Sequence, residues 1–185
     1  MDAIMLALVA VALANADGRT GVFLSGLLSV RRDRRVVTVI VFGAFLANAL
    51  VAAAFGAAAN RLIGQGIVAL LVAMAMLSAA VALLWRMRPI GADVAEASPA
   101  VLAGRMLAAQ FGDRSHFLIG ALAATSGAGL WAAAGGMVGW VVAMLPFLAF
   151  GPALAERRAA RFIRWASAAI LALWGIRTAM GAFGL

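Results

Sequence analysis

Residues 36–60 read VVTVIVFGAFLANALVAAAFGAAAN, a run with no charged side chain. About 20 predominantly apolar residues suffice to cross a bilayer, so this stretch is read as a transmembrane helix. Apolar runs of similar kind fill residues 64–85, 121–155 and 162–185, the last with Arg164 and Arg177 inside it. Two further stretches, 1–30 and 99–125, are apolar on both sides of a polar cluster. Counted together, they predict an all-α integral membrane protein with six transmembrane helices.

Composition agrees. The chain is 66% hydrophobic and 12% charged, with a mean hydropathy of +1.06, whereas soluble domains carry about 25% charged residues. Met1-Asp2 supplies no basic n-region and no convincing cleavage site follows, so the first helix is expected to be retained. Cysteine is absent, which removes disulfides, thiolate metal sites and a cysteine nucleophile. Lysine is absent too, and the basic residues are all arginine.

A net charge of +8 and a pI near 11.9 raise the question of nucleic acid. The distribution of charge argues against it. Arg31, Arg32, Arg34 and Arg35 fall between the first and second predicted helices, and Arg86 and Arg88 between the third and fourth. Arg157, Arg158, Arg161 and Arg164 fall between the fifth and sixth. The alternate loops hold only Arg61. Basic loops mark the cytoplasmic side, so a bacterial inner-membrane protein is expected, multi-pass, with both termini outside the cytoplasm. The expected partners are the lipid bilayer and a small solute; a homo-oligomer is compatible with the sequence.

The polar clusters are Asn15-Ala16-Asp17-Gly18-Arg19-Thr20 and Gln110-Phe111-Gly112-Asp113-Arg114-Ser115. A charge at membrane depth costs roughly 2.5–3.5 kcal/mol even on the lenient insertion scale. Two such clusters at matching places suggest two half-sites of one polar centre. A shift of 95 residues brings Arg19 onto Arg114, Thr20 onto Ser115, Leu27 onto Leu122 and Phe55-Gly56 onto Phe150-Gly151. The halves then read as two three-helix repeats, 1–88 and 99–185, joined by a polar linker over 89–98. With three helices each, the second is inverted relative to the first, a recurrent transporter design. Chance similarity in alanine-rich sequence is the alternative. Ser98 is expected to cap the fourth helix with Pro99 in its first turn, and Asp93 and Glu96 to be solvated.

On a continuous fourth helix, Gln110 and Asp113 share a face and His116 follows on it. Asp113, Gln110 and Ser115 offer the oxygen atoms that hard divalent cations take, and an unpaired carboxylate in low dielectric can exchange a proton for a cation. The alternative is an Asp113–Arg114 pair that only stitches helices. In the first cluster, Asp17 reaches a common site only if the backbone unwinds near Gly18. Thr20 and Ser115 are expected to bond back to their own helices. His116 is read as a packed, hydrogen-bonded imidazole before a ligand, and Asn48 as helix glue before a site residue. Gly104, Ala108, Gly112, Gly120 and Ala124 read as a close-packing ladder, Pro146 as a kink in the fifth helix, and Trp85, Trp131, Trp165 and Trp174 as interface anchors or core. Few acids and one histidine leave little equipment for catalysis, so the chain is expected not to be an enzyme and to hold no resident cofactor.

At these residues the chain resembles the Gdt family of cation/proton exchangers, which includes Golgi calcium–manganese transporters and bacterial manganese exporters. That family has six helices in two inverted halves, each bearing a motif E-x-G-D-[KR]-[ST]. The stretch 110–115 matches the second copy at every defined position but the first, where Gln110 replaces glutamate. In the first copy Asn15 replaces glutamate, and Asp17-Gly18 reverses the Gly-Asp order. The segments 119–124 and 139–151, with Pro146 and Gly151, also read like the family. The resemblance implies transport of a small cation, manganese or calcium, in exchange for protons. Asp113 and Gln110 would be metal ligands; Asn15, Asp17, Ser115 and Thr20 would assist ion or proton binding. Arg19 and Arg114 would balance charge or gate, with His116 and Asn48 accessory. Loss of both glutamates leaves a centre that is electrically neutral if both aspartates are charged. That keeps open an organic or anionic solute, or a non-transporting membrane subunit.

Overall fold

The computed structural model describes residues 2–85 and 96–184. Arg86, Arg88 and Asp93, with most of the expected linker, lie outside the described residues. Among those described the chain is helical without strands: α1 (Asp2–Ala14), α2 (Arg19–Val30), α3 (Arg34–Leu62), α4 (Gln65–Leu84), α5 (Pro99–Gln110), α6 (Arg114–Ser126), α7 (Gly129–Phe150), a 3-10 turn (Pro152–Glu156) and α8 (Arg158–Ala182). Four helices, α3, α4, α7 and α8, are long and apolar enough to cross a membrane. The count is five if α1 and α2 form one span.

The two stretches expected as single helices are both broken at their polar clusters. The first stops at Ala14 and restarts at Arg19, with the two parts bent by 71°. The second stops at Gln110 and restarts at Arg114. A glycine in the left-handed region marks each break: Gly18 at φ 69° and Gly112 at φ 72°. Glycine enters that region without the clash a Cβ brings, so each cluster supplies its own helix stop. Ser98 caps α5 as expected, accepting from the Val101 amide, with Pro99 in the first turn.

α1 packs chiefly on α7, α3 on α6, and α4 on α8. The first contact is a backbone approach at Gly135 and Gly139, where a Cβ would overlap the carbonyl oxygens of Ile4 and Leu8. The spacing is that of a small-xxx-small helix pair, and its order shows that α1 and α7 run parallel. Gly56 meets Gly120 in the same way between α3 and α6. Of the expected ladder, Gly120 is a close approach, whereas Gly104 and Gly112 have open space where a Cβ would stand. α7 runs through Pro146 to Phe150. Trp85, Trp131 and Trp165 are exposed at the bundle surface, and Trp140 lies in the core, stacked on Phe45 at 4.1 Å between ring centres.

Candidate functional site: two broken helices and a shared polar centre

The breaks place backbone and side chains of both clusters against one another. Asn15, just past the end of α1 and 4% exposed, donates from Nδ2 to Val11 O at 2.8 Å and to Ser115 Oγ at 2.9 Å. Ser115 Oγ donates onward to Asp113 Oδ2 at 3.0 Å. A hydrogen-bonded chain, Asn15 to Ser115 to Asp113, thus joins the two clusters. Ser115 makes no bond to its own helix carbonyls among the described residues, which departs from the expectation of back-bonding. Thr20 forms no side-chain hydrogen bond among the described residues.

The second link is ionic. Asp17 Oδ2 accepts from Arg114 Nη2 at 2.6 Å and pairs with Arg19 Nε at 3.0 Å. The Asp17 side chain is 3% exposed, Arg114 10% and Arg19 31%. Arg114 therefore crosses to the first cluster, and the Asp113–Arg114 stitch considered from the sequence is not the pair that forms. Unwinding before Gly18 frees Asp17 to turn inward, as the sequence required of it. Arg19 also reaches the backbone at the end of α4, donating to the carbonyls of Ala82 and Trp85.

The break in the second cluster also removes the continuous face on which Gln110, Asp113 and His116 were aligned. Asp113 sits at the N-cap of α6, its carbonyl accepting from the His116 amide at 2.9 Å. Gln110 ends α5 and points Nε2 at Val41 O of α3, at 3.5 Å, while its Oε1 is buried without a partner among the described residues. His116 is 3% exposed, with Nε2 at 3.2 Å from Phe45 O and its ring 4.6 Å from that of Phe45. A carbonyl only accepts, so Nε2 carries the proton. Asn48 donates to Leu107 O at 3.0 Å and ties α3 to α5. A cavity of about 370 Å³ opens beside Gly112, lined by Asn48, Phe55, Phe111 and His116.

Two aspartates and two arginines make the centre neutral overall if all four are charged. Among the described residues no group of three or more histidine, cysteine or acidic side chains forms a metal cage. Any cation held here would draw on Asp113 and on the neutral oxygens of Gln110, Ser115 and Asn15. Asp113 is the one carboxylate of the pair that no arginine neutralises directly among the described residues.

The sequence missed two supports. Trp140 stacks on Phe45, which holds His116, and Phe147 of α7 covers the backbone at Gly18 and Gly21. The available signal was the small-residue run Gly135, Gly136 and Gly139, which lets α7 lie against α1 and bring both aromatics to the break. No family model, curated protein or solved structure matches the chain.

Proposed function

We propose that the chain is a polytopic membrane transporter of the Gdt type that moves a small cation in exchange for protons. The observation that carries this reading is the chain Asn15–Ser115–Asp113. It joins two broken helices and ends on a carboxylate that pairs with no arginine among the described residues. Broken helices whose unwound backbone and polar side chains face each other are where secondary transporters hold their ions. Asp113 is the cation or proton carrier: a proton leaves its carboxyl as the cation arrives, and returns as it departs. Ser115, Asn15 and Gln110 supply neutral oxygens. Arg114 and Arg19 hold Asp17 and so keep the two breaks together. Support for two inverted halves comes from the glycine break in each half and from the partner exchange α1–α7 and α3–α6. The six-span topology then counts α1–α2 and α5–α6 as one broken span each, in an inner membrane with both termini outside.

One observation favours a second reading. Arg114 Nε and Nη1 are buried and have no hydrogen-bond partner among the described residues; buried donors of a charged group are costly to leave unmet. An anionic solute would meet them, with Arg114 and Arg19 as its ligands and Asp17 the group it displaces.

Proteoliposomes containing the protein separate the two. Manganese or calcium uptake driven by a pH gradient and abolished by Asp113→Asn supports the cation reading. Uptake that needs Arg114 but tolerates Asp113→Asn supports the anionic one.

A further inference from the structure

Charge that the polar centre does not use is concentrated at the start of α8. Arg157 caps the helix, and Arg158, Arg161 and Arg164 follow in its first two turns. None of the four forms an ion pair or an intramolecular side-chain hydrogen bond among the described residues. Glu156 is the single acid anywhere after Asp113. Arg157, Arg161 and Arg164 recur at helical spacing on one face, and Arg158, Phe162 and Trp165 on the adjacent one. Phe162 is 74% and Trp165 58% exposed.

Within the protein this arrangement is unfavourable. Like charges four residues apart repel, and cations at a helix N-terminus oppose the macrodipole. The first turn of α8 has no acid to offset them. Among the described residues no acid pairs with these arginines, and the place points to a source of negative charge beside the chain. α8 is among the helices long and apolar enough to cross a membrane, so its first turns stand at headgroup depth. Exposed tryptophan and phenylalanine beside the arginines suit that depth, and a polybasic segment next to a span is the arrangement that anionic lipids attract.

We propose that the first two turns of α8 form a binding surface for anionic phospholipid headgroups. The guanidiniums of Arg157 and Arg161 meet the phosphates, with Arg164, whose Nε is buried, behind them, and Phe162 and Trp165 seat in the interfacial layer beside them. Arg158 adds charge at the border. The proposal is independent of what the polar centre transports.

The test is native mass spectrometry of the full chain in detergent, titrated with phosphatidylglycerol and, separately, with phosphatidylcholine. Selective phosphatidylglycerol binding is expected. Each arginine near a charged surface contributes about fivefold in affinity, so the R157Q/R161Q double variant is expected to bind roughly thirtyfold more weakly. R157K/R161K should retain most of the binding, and R61Q, at the far end of α3, should retain all of it. If the double variant fails to fold, Arg157→Gln and Arg161→Gln singly carry the same test, each with about a fivefold loss. Equal binding of the two lipids would overturn the proposal. So would unchanged binding in the glutamine variants, or an equal loss in R61Q.

Discussion

Replacing Asp17 with asparagine removes the charge that Arg114 and Arg19 share while keeping the side chain's shape. Asp17 and Arg114 are both at least nine-tenths buried, and their contact is 2.6 Å, so the loss is that of a buried pair. Removing one partner of such a pair costs about 3–5 kcal/mol, because the other charge is left uncompensated. The Arg19 contact adds little, since Arg19 is 31% exposed and solvent screens it. For a chain of this size each kcal/mol moves the melting temperature by about 2–4 °C, so Asp17→Asn is expected to lower it by about 6–20 °C. The assay is thermal unfolding in detergent of Asp17→Asn, Arg114→Gln and the double variant. Removing both charges spares the stranded guanidinium, so the double variant should be more stable than the two single losses predict, by about 1–3 kcal/mol. Losses that simply add, within about 0.5 kcal/mol, would show that the two residues do not interact and would refute the ion pair as the link between the breaks.

Other expectations follow from the same geometry. Gly18→Ala and Gly112→Ala both force a Cβ into the left-handed region, at about 1–2 kcal/mol; Gly18→Ala must also displace the Phe147 ring, whereas Gly112 has open space, so thermal unfolding should rank Gly18→Ala as clearly the worse. Gly139→Val drives a side chain into the Leu8 carbonyl and is expected to separate α1 from α7, read as loss of a monodisperse peak on size exclusion. Ser115→Ala cuts the chain to Asp113 and is expected to cost about 1–3 kcal/mol, with a larger loss of transport than of folded protein. Asp33, in the α2–α3 turn, has its carboxyl held below the usual range, first by the hydrogen bond from Arg31. A lowered folded value means stability that is present above the ordinary carboxylate range and is lost as pH falls through the lowered one. Asp33→Asn should therefore lower stability at neutral pH, leave it unchanged at low pH where the carboxyl is protonated, and so flatten the acid side of the profile.

The helical membrane architecture was legible because apolar run length is set by bilayer thickness, which reads directly from sequence. The positions of the polar clusters were legible for the same reason: charges stand out in apolar runs. The break at Gly112 was not, because glycine occupies helical and left-handed conformations alike, and the i, i+3 spacing of Gln110 and Asp113 fits an unbroken helix equally well. The partner of Arg114 was hidden by distance along the chain. Asp113 is its neighbour in sequence, yet Asp17, 97 residues away, is its partner in space. The role of Ser115 was misread because back-bonding is the default only while the helix around it continues. Here it lies in the first turn of α6, next to the break, where Asp113 and Asn15 are both within reach.

Direct binding tests the cation reading at its centre. Purified protein titrated with Mn²⁺, Ca²⁺ and Mg²⁺ across pH, with Asp113→Asn beside it, is expected to show saturable binding that releases protons and disappears in the variant. Absence of binding to the native chain, or binding that survives Asp113→Asn unchanged, would contradict a cation site built on Asp113.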